Sequence, residues 1–174
     1  MCDITRPDWA NSSDLLRDYY DNEWGAIVSD TPGIYERIVL EGFQSGLSWE
    51  IVLKKRPAFR EAFDGFDQAK IAMYTDDDVA RLLDNPEIIR NEKKIRAAIT
   101  NARATVALES AGVSLAGLVW SFAPEDPIGP GPDAGRSAES TALAHELKRH
   151  GFTFVGPVTM FALMQAIGIY EHRL

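Results

Sequence analysis

The segment Leu40-Glu41-Gly42-Phe43-Gln44-Ser45-Gly46-Leu47-Ser48-Trp49, preceded by Asp21-Asn22-Glu23-Trp24-Gly25, sets the Glu41 carboxylate and two indoles, Trp24 and Trp49, around a helix end. These residue types suit a flat, nitrogen-rich ring able to carry positive charge. Aromatic faces stack on such a ring, and a fixed acceptor reads its edge. The pattern points to a nucleobase pocket.

Taken alone, the same residues also have plainer readings. Arg37 precedes Glu41 by about one helical turn, and Arg37, Glu41 and Gln44 share the one polar arc of an otherwise apolar helix. A solvated ion pair between Arg37 and Glu41, contributing a few tenths of a kcal/mol, fits that spacing as well as a pocket carboxylate does. Trp49 likewise reads as either a core tryptophan or a stacking surface. His145, His150 and His172 form no catalytic pair with Cys2 and are expected at the surface. Gly129-Pro130-Gly131-Pro132 lacks the lysine and the strand-to-helix setting of a phosphate loop, so a nucleotide-hydrolysing enzyme is not supported.

Global composition narrows the class. With 174 residues, 45% of them apolar, the chain is expected to form a single domain over residues 1–174. The lone Cys2 excludes an intramolecular disulfide framework, and the first residues lack the basic-then-apolar pattern of a secretory signal, so a cytoplasmic location is expected. No apolar run is long enough to span a bilayer. The net charge of −8 argues against a broad phosphate-binding field. Its distribution is uneven: acidic residues crowd 64–78, whereas 81–103 holds six basic residues (Arg81, Arg90, Lys93, Lys94, Arg96, Arg103) against three acidic ones. Solvated helix faces account for those clusters unless a partner is shown.

The elements that must position the pocket read as almost entirely helical. Asp30 is a cap for a helix with Pro32 in its first turn, running through Ile34, Ile38 and Val39 to a stop near Ser45-Gly46. Thr75-Asp76-Asp77-Asp78 opens a short helix to Leu83, broken by Asn85-Pro86. A longer helix starts near Glu92 with Ile95, Ala98, Ile99 and Ala102 on one stripe, and ends before Gly112. Shorter helices are expected over 49–56, 57–63, 114–122, 138–150 and 158–167. No segment alternates at period two, so no sheet is expected. Residues 123–137, with four prolines and three glycines, read as a surface loop.

Several blocks, in matching order over residues 9–170, resemble the 3-methyladenine DNA glycosylase I family. They are 21–25 and 40–49, Val52-Leu53-Lys54-Lys55-Arg56, Ile88-Ile89-Arg90-Asn91 with Lys94-Ile95, Val119-Trp120-Ser121-Phe122, Gly151-Phe152 with Phe154-Val155-Gly156, and Met164-Gln165-Ala166-Ile167-Gly168. The resemblance implies an all-α, two-lobed fold of the helix-hairpin-helix DNA glycosylase type, with the hairpin at 84–91. It implies Glu41 and Tyr19 as the catalytic pair, Trp49, Trp24 and Trp9 as base-binding aromatics, and DNA contacts from Gly46, Leu47, Ile88, Arg90 and Lys94. The implied activity is removal of 3-methyladenine from double-stranded alkylated DNA by base flipping, without strand cleavage, by a monomer with no membrane partner. A non-catalytic module that binds damaged DNA or a free purine is the competing reading.

Departures from the family pattern matter equally. Family members usually hold a structural zinc through an early Cys, the His after the pocket tyrosine, and a C-terminal His and Cys. Pro7 and Tyr20 stand at the first two positions, Cys2 comes too early, and no late cysteine follows His172. Structural zinc takes four ligands, so no zinc and no other cofactor is expected. Leu16 stands where a pocket tyrosine is common, Ala144-His145 where a Ser-Lys pair is common, and the hairpin carries Pro86 but no glycine.

Overall fold

Polar caps set where the chain turns helical. In the computed structural model, which describes residues 4–173, Ser13 accepts the Leu16 N–H at 3.2 Å and opens α1 (Asp14–Asn22). Asp30 accepts the Gly33 N–H at 2.9 Å to open α2 (Thr31–Gln44), and Ser48 caps α3 (Trp49–Ala62) through Ile51 N–H at 3.3 Å. Each such cap contributes about 1 kcal/mol. Beyond them lie α4 (Gln68–Ala72), α5 (Asp76–Leu83), α6 (Glu92–Ser110), α7 (Leu115–Trp120), α8 (Ala138–Arg149) and α9 (Pro157–Ala166). There is no strand among the described residues. Cys2 lies outside them.

The helices form two lobes on either side of α2. One is built from α3 to α6 and carries the hairpin, with α1 packed on α3; the other is built from the C-terminal α7, α8 and α9. The Tyr35 hydroxyl of α2 donates to the Ala98 carbonyl of α6 at 2.8 Å, and Phe43, Phe59, Phe63 and Phe66 stack in series through the first lobe. The second lobe closes against the chain's N-terminal half partly through backbone. Gly25 N–H donates to Ala166 O at 3.0 Å, Val28 N–H donates to Ile167 O at 3.1 Å, and Gly25 and Gly168 face each other with φ of 80° and 82°. A side chain at 168 would stand 2.9 Å from the Gly25 carbonyl oxygen.

Three features differ from the sequence expectation. The separate helices expected over 49–56 and 57–63 are one helix, α3, with Pro57 inside it. The buried Phe59 and Phe63 next to it supply the packing that offsets the lost backbone bond. Helices α1 and α4 were not anticipated: both are short, and tertiary packing holds them rather than their own propensity. His172, expected at the surface, is 5% exposed, stacked on Tyr170 at 5.0 Å and bonded to the Ile128 carbonyl at 2.7 Å. The 123–137 segment is a loop, but a pinned one. Glu171 N–H donates to Pro127 O at 2.9 Å, and Gln165 donates to Pro132 O at 3.2 Å.

Candidate active site

The last turn of α2 forms the floor of a cleft of about 410 Å³, within the usual range for small-ligand sites. Its walls are Trp9, Leu16, Tyr19 and Trp24 from the N-terminal segment, Trp49 at the start of α3, and Ala162 and Gln165 from α9, with Glu41 and Gln44 on α2. All five residues expected to handle the base are therefore brought together.

Glu41 decides between the readings left open by its spacing. Arg37 does not pair with it; its guanidinium donates instead to Glu23 at 2.9 Å. Glu41 is 7% exposed, has no cationic or hydrogen-bonding partner among the described residues, and lines the cleft. Burial pushes its carboxyl up to about 8, so near neutral pH it stands mostly protonated until a positive charge arrives. Tyr19 is 7% exposed; burial first, then the charges of Glu41 and Glu23, raise its phenol well above the ordinary range. It remains a hydrogen-bond donor.

The aromatic walls differ in placement. Tyr19 and Trp49 meet at 5.7 Å with planes tilted by 53°, and both line the cleft. Trp24 stacks on the fully buried Tyr20 at 5.3 Å, and Trp9 meets both edge-on at 5.6 and 5.8 Å. Trp9 is the most exposed of the set, at 38%.

Behind these walls runs an ion-pair network that sequence reasoning missed. Glu23 accepts from Arg37 at 2.9 Å and from Arg56 at 2.8 Å, while Glu36 accepts from Arg56 at 3.0 Å and from Arg60 at 2.8 Å. It joins the end of α1 to α2 and α3. Because the partners lie far apart in the chain, no local spacing announces them. Gln44 and Gln165, also in the lining, were likewise not assigned to the pocket from the sequence.

The expected DNA contacts lie elsewhere on the surface. Gly46, with φ of 78° and no atom within 4 Å of where a side chain would start, lets the chain turn sharply beside Leu47. Lys94 commits two donors of its ammonium to this turn, to Phe43 O at 2.9 Å and Ser45 O at 2.6 Å. In the hairpin, the Ile88 side chain is buried and Arg90 is exposed. The N–H groups of Ile88, Ile89 and Arg90 have no acceptor among the described residues, while Lys55 holds the carbonyls of Pro86 and Glu87 from behind at 3.5 and 3.2 Å. Free N–H groups at a helix start form an anion-binding surface.

The residues at the places implied for zinc do not fit the metal. Pro7 offers no ligand atom, and the Tyr20 ring is held between Trp24 and the Arg173 guanidinium, which lies 5.9 Å from its centroid. Among the described residues, no three His, Cys, Asp or Glu side chains converge on a metal position. Arg173 also donates to the Asp21 carbonyl, and Arg6 pairs with the Asp21 carboxylate at 2.7 Å. Guanidinium groups thus join the two ends of the fold. No helix among the described residues is long and apolar enough to cross a membrane.

This arrangement has close counterparts. Residues 9–174 match the methyladenine glycosylase family. DNA-3-methyladenine glycosylase of Haemophilus influenzae is 39% identical over 175 residues, covering 98% of this chain and 95% of that protein. DNA-3-methyladenine glycosylase 1 of Escherichia coli is 40% identical over 178 residues, covering 98% and 94%. A crystal structure of a 3-methyladenine DNA glycosylase I shares the fold with a TM-score of 0.90 at 44% identity, over 96% of this chain and 94% of that one. Agreement at this level over nearly the whole length, with an aromatic cleft built on a buried carboxylic acid, leaves one assignment: the chain belongs to the methyladenine glycosylase family.

Proposed function

We propose that the chain is a DNA-3-methyladenine glycosylase of base-excision repair, hydrolysing the N-glycosidic bond of the alkylated base. One observation carries this reading: a buried carboxyl without a partner among the described residues, lining a purine-sized cleft walled by indole and phenol. An adenine methylated at N3 while still attached to the sugar is cationic. Placed against Glu41, it makes ionisation of the carboxyl favourable and is held by the resulting charge pair. Neutral adenine offers no such compensation, and its intact glycosidic bond does not break merely on being held.

The chemistry asked of the protein is modest. The duplex is bent, the lesion is extruded, Trp49 stacks on it, and Tyr19 and Glu41 align its edge, with Trp24 and Trp9 bracing the wall. The base leaves as a neutral purine while water attacks the sugar, and the Glu41 carboxylate stabilises the cationic transition state. Among the described residues no lysine lines the cleft. No lysine is proposed as a Schiff-base nucleophile, and the enzyme acts as a monofunctional glycosylase. Leu47 on the Gly46 turn fills the gap in the stack. The hairpin N–H groups of 88–90 and the Arg90 side chain hold phosphate. Lys94 serves the same interface by fixing the turn. The enzyme acts as one domain and as a monomer, without zinc or another cofactor, on double-stranded alkylated DNA in the cytoplasm.

The deciding assay measures free 3-methyladenine released from methylated DNA. Wild-type protein is expected to release it, Glu41→Gln to slow release about 10²- to 10³-fold, and Trp49→Ala to weaken binding of the free base by about 1 to 3 kcal/mol. Wild-type protein that binds methylated DNA yet releases no base would establish a non-catalytic module instead.

A further inference from the structure

Gln165 shares the cleft with Glu41, and its carboxamide is held in a single orientation. Its Nε2 lies 2.9 Å from His172 Nδ1 and 3.2 Å from the Pro132 carbonyl oxygen. A carbonyl only accepts, so the atom facing Pro132 is the nitrogen. His172 supports the same orientation. Its Nε2 sits 2.7 Å from the Ile128 carbonyl and therefore carries hydrogen, which leaves Nδ1 bare to accept from Gln165. The imidazole is fixed in turn by its stack on Tyr170, whose hydroxyl donates to Ser137 at 2.6 Å.

Both amide hydrogens are thus directed into the protein. The oxygen, on the other side of the planar group, accepts no bond from a described residue. It is not buried either, since the only buried side-chain nitrogen or oxygen without a partner among the described residues is Gln68 Nε2. Oε1 is therefore an accessible, unused acceptor on a residue that lines the cleft.

We propose that Gln165 Oε1 is a specificity-determining acceptor for the exocyclic amine of the extruded base, positioned by His172 and the Pro132 carbonyl. An amino group at the purine 6-position donates to this oxygen. A 6-oxo group would set lone pairs against lone pairs, so the edge discriminates against guanine- and hypoxanthine-derived lesions. Glu41 answers the charge of the base, while Gln165 answers its exocyclic group. The inference rests on the glycosylase reading and goes beyond it.

The test compares the affinities of 3-methyladenine and 3-methylpurine, the same ring lacking the amine, for wild type and Gln165→Leu, followed by quenching of the cleft tryptophans. Gln165→Leu is expected to shrink the preference for 3-methyladenine about 10-fold. Equal weakening of both ligands overturns the proposal. Where Gln165→Leu does not fold, the side-chain NH₂ resonances of Gln165 in wild-type protein give the answer: 3-methyladenine is expected to move them more than 3-methylpurine does, and equal shifts overturn it. Release of 3-methyladenine from methylated DNA is run alongside. No release by wild type removes the glycosylase reading, whereas normal release with an unchanged ligand preference removes only the role of Gln165.

Discussion

Arg56 reaches Glu23 at 2.7 Å, behind the aromatic wall of the cleft and one residue before Trp24. The pair joins the helix that begins with Trp49 to the end of the helix that carries Tyr19, so two rings that line the cleft are set by a charge contact neither ring makes. Arg56 has only 9% of its side chain exposed, whereas Glu23 keeps 30%. The arginine therefore suffers more when the pair is broken.

Glu23→Ala is expected to lower stability by about 2 kcal/mol or more, at the low end for a buried pair because Glu23 is part-exposed. Thermal unfolding measures this. Base affinity should fall with it, since Tyr19 and Trp49 lose their common anchor. Glu23→Asp is expected to recover part of both. A variant with lowered melting temperature and unaltered affinity for 3-methyladenine would separate the network from the cleft.

Glu41 makes stability depend on pH with an unusual sign. Burial raises its carboxyl to about 8 in the folded protein, against about 4.3 in an unfolded chain. Between those values the folded state binds more protons than the unfolded one, so stability from this group is full below the unfolded value and falls by about 1.4 kcal/mol per pH unit until about pH 8. Glu41→Gln removes that dependence. Denaturant titrations are expected to show the variant and wild type alike near pH 4, the variant more stable at pH 8, and a constant difference above. Equal slopes for both proteins would contradict the unpaired state of the carboxyl.

Lys94 and Arg90 lie four residues apart, yet their substitutions should affect the salt dependence of DNA binding differently. Arg90→Ala is expected to reduce the dependence of DNA affinity on salt by about one counterion. Lys94→Met should leave that slope nearly unchanged and lower the melting temperature, because its ammonium caps the carbonyls of Phe43 and Ser45. The cost is about 1 kcal/mol. Burial lowers the Lys94 amine from its ordinary value, as expected for a group turned toward protein.

Metal analysis of the purified protein is expected to find no stoichiometric zinc, and chelator is expected to leave the melting temperature unchanged. Arg173→Ala, in contrast, should lower it, since it removes both the cation over Tyr20 and the bond to the Asp21 carbonyl. The cation–π part is about 0.5 to 2 kcal/mol. One bound zinc per chain would overturn the assignment of this joint to arginine.

The sequence was most legible where its signals are local. Asp30 with Pro32, Thr75 with Asp78, and the apolar stripe of α6 placed their helices within a residue or so, because caps and periodicity act through neighbouring residues. Glu41 was ambiguous for the same reason. Its local partner at Arg37 was visible, but the distant Glu23 that draws Arg37 away was not. Family resemblance found the pocket aromatics, which periodicity alone reads as core. Gln165 and His172 stayed hidden because their meaning depends on Ile128 and Pro132, brought to them by a loop whose composition reads only as irregular.

The backbone contact at Gly25 and Gly168 fixes how far apart the slot's jaws sit. Trp24 immediately precedes one side of that contact and Gln165 lies just before the other, with main-chain bonds at Ala166 and Ile167 and no space for even a methyl group at position 168. The gauge of the slot is therefore set by main chain, which substitution does not retune. A wider slot must come from paring back the side chains that line it, Leu16 among them, rather than from prising the jaws open.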